Sequence, residues 1–131
     1  MDRYDFKRRT KLFANDCVKF TSSLPNNKLG NHIEGQLIRS ATSVAVNYRA
    51  VLLAQSDAAF SAKLSIVIEE VDECDFWVEF ALDEQIASSE IATSMRQRNS
   101  QQYSLLPEKL FNRKTKNNRN AMDENPLINN N

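Results

Sequence analysis

Two glycines and three prolines are all that interrupt 131 residues. A β-sandwich or barrel of this length needs a tight turn roughly every eight to twelve residues. Long helices need few such breaks, so the scarcity of both residues points to an all-α chain. Long apolar runs are also missing. The longest, Ala50 to Ala54, is far too short to span a bilayer, so no membrane segment is expected. The opening MDRYDFKRR lacks the apolar stretch of a secretory signal, which makes the cytoplasm the expected location. The two cysteines, Cys17 and Cys74, lie in amphipathic segments and are expected as buried free thiols. A disulfide between them is the alternative.

A single histidine removes most catalytic options. The di-metal site of four-helix bundles takes Glu from two helices and a Glu-x-x-His pair from each of the other two. Here the residue three before His32 is Leu29, so the ligand count fails. His32 is expected at the surface or near a helix start. The chain has no phosphate-binding glycine loop, and no nucleophile–His–acid set can form except around this one His. Glu69, Glu70, Asp72, Glu73, Asp75 and Glu79 form an acidic run without the central glycine that a calcium loop requires. They are expected to form a solvated helix face, with Glu70 and Glu73 placed to pair with an arginine such as Arg39. The chain is therefore expected to be no enzyme and to hold no metal or cofactor.

What is present is helical periodicity. Phe6, Phe13, Cys17 and Phe20 mark a first helix over about 5–22. The turn-forming SSLPNNKLG ends it. Asn31 then reads as an N-cap with Glu34 as its capping-box partner. Ile33, Leu37, Ala41, Val44, Tyr48 and Val51 trace one stripe of a second helix, whose small residues Ser40, Ala41, Ser43 and Ala45 allow close approach. Ser56 or Asp57 caps a third helix. Its seam of Phe60, Leu64, Val67, Val71, Cys74, Val78 and Ala81 alternates spacings of four and three. Ile66, Ile68, Phe76, Trp77 and Phe80 lie off that seam and predict a second apolar face. Base stacking by Trp77, Phe76 and Phe80 is conceivable chemistry, but core or subunit-interface burial is the expectation. A fourth helix starts near Ser88, with Ile91, Met95, Leu106 and Leu110 as a broken stripe across the polar RQRNSQQ, and Pro107 bends it. These elements predict an antiparallel up-down-up-down four-helix bundle over 1–113. An Asn-rich tail over 114–131 is expected to be disordered.

Charge is balanced overall, 17 basic against 17 acidic residues, but unevenly placed. Residues 57–90 carry ten acids against Lys63 alone, while residues 96–119 carry seven bases against Glu108. In an up-down bundle the first helix starts where the fourth ends. Arg8, Arg9 and Lys11 would then join Arg113, Lys114 and Lys116 in one basic pole, suited to phosphates without base readout.

The segments QLIRSATSVAVNYR and FSAKLSIVIEEVDECDFWVEF carry Arg39, Ser40, Ala41, Ser43 and Asn47, then Phe60, Glu70, Glu73 and Trp77. Over about residues 5–113 this pattern resembles the bacterial 23S ribosomal RNA intervening-sequence proteins. That resemblance implies a short four-helix bundle, assembly into a ring-like homo-pentamer, and no known catalysis. The family is named for the genomic position of its genes, inside ribosomal RNA insertions. The expected function is a non-enzymatic oligomeric bundle that binds ribosomal or other structured RNA, or a ribonucleoprotein, through its basic pole, with Phe76, Trp77 and Phe80 at the interface between copies. The competing expectation is a protein-interaction adaptor that docks a partner on the acidic face at Glu69, Asp72 and Asp75 and binds no nucleic acid.

Overall fold

A computed structural model describes residues 3–95, and the regular structure within them is entirely helical. Helix α1 spans Arg3–Thr21, α2 Lys28–Leu52 and α3 Asp57–Asp83. A fourth helix, α4, begins at 89 and runs to the last described residue, 95.

Local chemistry sets each boundary. The loop 22–27 closes α1 through tight turns, with the Ser23 hydroxyl donating to the Phe20 carbonyl at 2.7 Å. The cap of α2 is Asn27, not the expected Asn31. The Asn27 Oδ1 accepts from the Gly30 amide at 2.8 Å, and Asn31 already donates its own amide to the Asn27 carbonyl at 2.9 Å. Gly30 makes this early start possible. A Cβ there would stand 2.0 Å from the Pro25 carbonyl oxygen, so the loop folds back over the first turn only because that side chain is absent. Ser56 caps α3 by accepting from the Ala59 amide at 3.1 Å.

Helix α3 ends in a Schellman arrangement. Gln85 takes a left-handed φ of 58°, the Ile86 amide donates to the Ala81 carbonyl at 3.1 Å, and the Gln85 amide donates to that of Leu82 at 3.0 Å. Ser88 then precedes α4, its carbonyl accepting from the Ala92 amide at 3.1 Å.

The connections are short, so successive helices run antiparallel. Two pairs of contacts fix the direction. Phe6 near the start of α1 meets Tyr48 near the end of α2, with ring centroids 6.0 Å apart. His32 near the start of α2 meets Trp77 near the end of α3, at 5.5 Å. Helix α2 packs against both α1 and α3.

One core runs through the helices. The predicted α2 stripe is buried throughout, from Ile33 to Val51. On α3, Leu64, Val67, Cys74, Val78 and Ala81 are buried, and Phe60 and Val71 pack against the cluster. On α1, Phe13, Cys17 and Phe20 are buried as expected. Thr10 joins them because its hydroxyl donates to the Lys7 carbonyl at 3.0 Å, which removes the cost of burying it. Each such aliphatic or aromatic side chain contributes about 1.5–3 kcal/mol on leaving water. On α4 the inward residues are Ala92 and Met95, while Ile91 faces out. Of the expected stripe Met95 is buried, and Ala92 takes the inward place expected of Ile91. Pro107, Leu106, Leu110 and the tail over 114–131 lie outside the described residues. No helix among the described residues is long and apolar enough to cross a membrane.

Candidate functional site

The motif residues of α2 and α3 come together at the contact between those helices. Arg39 Nη1 lies 3.4 Å from Glu70 Oε2, and Arg39 Nη2 hydrogen-bonds to Glu73 Oε2. The expected cross-helix pairing is thus present, with both acids on one turn of α3. The guanidinium is held charged above its ordinary range, chiefly by its hydrogen bond to Glu73. Burial pushes the Glu70 carboxyl up, against the opposing pull of Arg39.

One residue further on, the environment is dry. Ser40 is fully buried, its Oγ accepting from the Cys74 thiol at 3.3 Å and donating to the Gln36 carbonyl at 2.9 Å. Cys17 on α1 is buried, and the neighbouring Cys74 thiol together with that burial raises its own thiol far above the ordinary range. Both thiols are free, as expected. Asn47 turns back on its own helix, Nδ2 donating to the Ser43 carbonyl and hydroxyl, each at 2.9 Å. Arg39 and Ser40 therefore join α2 to α3, whereas Asn47 and Ser43 pair within α2. Among the described residues no group of three or more His, Cys, Asp or Glu side chains could hold a metal ion.

Toward the end of α3 the second apolar face takes shape. Phe76 is half exposed at 51%, and its ring meets those of Trp77 at 5.0 Å and Phe80 at 5.8 Å. Trp77 is partly buried, with His32 set edge-on against it. The indole Nε1–H is buried and has no acceptor among the described residues. Glu69, Asp72, Asp75 and Glu79 are exposed around this cluster.

Several basic residues lie toward the other end, whereas exposed Lys19 and Lys28 stand at the aromatic end. Arg8 and Lys11 are exposed on α1, whereas Arg9 is drawn into an i,i+4 ion pair with Asp5, Nε to Oδ2 3.3 Å. The Phe6–Tyr48 contact brings the last turn of α2, with exposed Arg49, to this same end. Exposed Lys63, near the start of α3, joins them by the antiparallel order of the helices. Arg49 and Lys63 were missing from the expected pole, although up-down connectivity already implies their position. Arg113, Lys114 and Lys116 lie outside the described residues.

The profile of the 23S rRNA-intervening sequence proteins matches residues 3–107. The chain belongs to that family. A protein of the S23 ribosomal protein family from Bacteroides thetaiotaomicron VPI-5482, solved crystallographically at 1.70 Å and of unknown function, has the same fold. It is 28% identical, with a TM-score of 0.69 over 79% of this chain and 96% of its own. No curated protein matches the chain. Within this 23S rRNA-intervening sequence protein, Arg39, Ser40, Glu70 and Glu73 of the motif clamp α2 to α3, Asn47 bonds within α2, and Trp77 anchors the aromatic face.

Proposed function

We propose that this chain is a non-catalytic helical bundle that assembles with copies of itself and binds structured RNA through its basic pole. One observation carries the RNA half of this reading. Exposed Arg8, Lys11, Arg49 and Lys63 come from three helices to one end of the bundle, while the acid-rich half of α3 lies toward the other. Cations on three rigid helix ends suit phosphates, which offer charge without sequence information. Arg9 contributes less, because Asp5 already neutralises it. The exposed Phe76 ring, with Trp77 and Phe80 beside it, supports self-assembly, since an apolar face of this kind gains by being covered.

Charge reversal at Arg8 and Arg49 tests the RNA half. The double variant R8E/R49E should weaken binding to all RNAs alike and reduce the salt slope by roughly two units, about one per lost phosphate contact. Unchanged affinity and slope would count against the pole.

A further inference from the structure

Among the described residues, the two most exposed large apolar side chains are Leu53 at 79% and Tyr4 at 75%, and both stand at the basic pole. Their positions follow from the helices that carry them. Tyr4 lies in the first turn of α1, one turn before Arg8, and Leu53 caps α2 one turn after Arg49. The Phe6–Tyr48 ring contact, two residues on from Tyr4 and one before Arg49, brings those helix ends together. Each apolar side chain is thus the i,i+4 neighbour of a cation.

On α1 the pairing extends into a track. Tyr4, Arg8, Lys11 and Asn15 recur at fours and threes and are all exposed, while the buried Thr10, Phe13, Cys17 and Phe20 occupy the opposite side of the helix. At 1.5 Å per residue the track is about 16 Å long. It begins with an aromatic ring and continues with two cations and an amide. Asp5, next to Tyr4 in the chain, is engaged by Arg9. The other exposed ring sits in an unfavourable field for phosphates. Phe76 is flanked at i−4 and i+3 by exposed Asp72 and Glu79, and these repel a polyanion even though Lys19 and Lys28 share that end. At the pole, an aromatic face and cations occur together.

We infer that the basic pole takes RNA at unpaired bases, one splayed base stacking on the Tyr4 ring while Arg8 and Lys11 hold the adjoining phosphates. In a duplex each base face is covered by its neighbours, so the ring gains nothing there. A loop or single-stranded end offers an unstacked base. The cations supply attraction to any RNA, and the ring adds a preference for unpaired over paired RNA that tolerates sequence, because every base has a face to stack. Leu53 extends the apolar surface beside Arg49. The inference rests on the RNA binding proposed above and names the kind of RNA that the pole prefers.

A hairpin RNA with an unpaired purine loop and a blunt duplex with the same number of phosphates test it. Each is titrated with wild type, Y4A and Y4F, with helix content checked by circular dichroism. Wild type should bind the hairpin about tenfold more tightly than the duplex, the scale of one base–aromatic stack. Y4A should bind the hairpin about tenfold more weakly and the duplex as before, with both salt slopes unchanged because no charge is lost. Y4F keeps the ring and should match wild type on both RNAs. Equal wild-type affinity for the two RNAs, a Y4A variant that binds the hairpin as wild type does, or a Y4A loss equal for both RNAs would overturn the stacking. The pole itself would then still be read by R8E/R49E. Wild type that binds neither RNA at low salt would overturn the RNA reading and this inference with it.

Discussion

Arg39 of α2 reaches Glu70 of α3 with Nη1 3.4 Å from Oε2, and its other terminal nitrogen holds Glu73 one turn along. One guanidinium therefore serves two carboxylates that would otherwise repel each other. The side chain is about half exposed, at 49%, so solvent screens much of the attraction. Replacing it by Met should cost about 1 kcal/mol of unfolding free energy in urea, within the upper range for a surface pair. A loss near zero would mean that the clamp is ornamental.

Glu70 adds a pH signature. Burial holds its carboxyl above the ordinary value, with Arg39 pulling it down. A group whose folded pKa lies above its unfolded one binds its proton more tightly in the folded state. Its contribution is therefore fully present below the unfolded value and is lost as pH rises through the folded one. The window opens at the ordinary carboxylate pKa, about 4.3, and extends upward. In E70Q the stability of the protein should fall less over that rise than in wild type, read by urea titrations at a series of pH values. An identical pH profile would contradict the assignment.

The two glycines and Gln85 should respond in opposite senses. Gly30→Ala drives a methyl into the Pro25 carbonyl oxygen, a backbone atom that cannot swing aside. It should destabilise by at least about 1–3 kcal/mol, as overpacking does. A Cβ at Gly35 would meet nothing within 4 Å, so Gly35→Ala should stabilise by about 0.5–1 kcal/mol through helix propensity alone. Gln85→Gly relieves a left-handed backbone and should stabilise by about 1 kcal/mol. Thermal melts of the three variants check all of these signs.

The thiols give a kinetic test. Cys17 and Cys74 are buried, and Cys74 donates to Ser40. A thiol-specific reagent at mildly alkaline pH should label the folded protein on the order of a hundred times more slowly than the urea-unfolded chain, because both thiols are buried and the reagent reaches them only on opening. Ser40→Ala removes the acceptor and should cost about 1 kcal/mol. Immediate labelling of both thiols in the folded protein would show the core to be looser than its packing.

Much of this architecture was readable from spacing. The seams of α2 and α3 follow threes and fours closely enough that every residue assigned to them is buried or packed against the core. The Arg39 pairing was also readable, since Glu70 and Glu73 stand at the edge of the α3 seam. Where the sequence misled, tertiary contacts made the choice. Asn26, Asn27 and Asn31 are equally able caps, and only the close approach of Pro25 to Gly30 selects Asn27. On α4, Ile91 is the more apolar residue, yet Ala92 is the one that fits inside. The placement of the cations was harder to read, because their order along the chain does not reveal that Asp5 claims Arg9 or that Arg49 and Lys63 share the end with Arg8.

The central claim is that the basic pole binds RNA phosphates. Its most direct test is titration of the whole chain into a ribosomal RNA fragment and an unrelated RNA of equal length, each at low and moderate salt. The account predicts micromolar or tighter binding to both RNAs, weakening together as salt rises. No binding at low salt would contradict it and leave the cations of α1, α2 and α3 as solubilising charge.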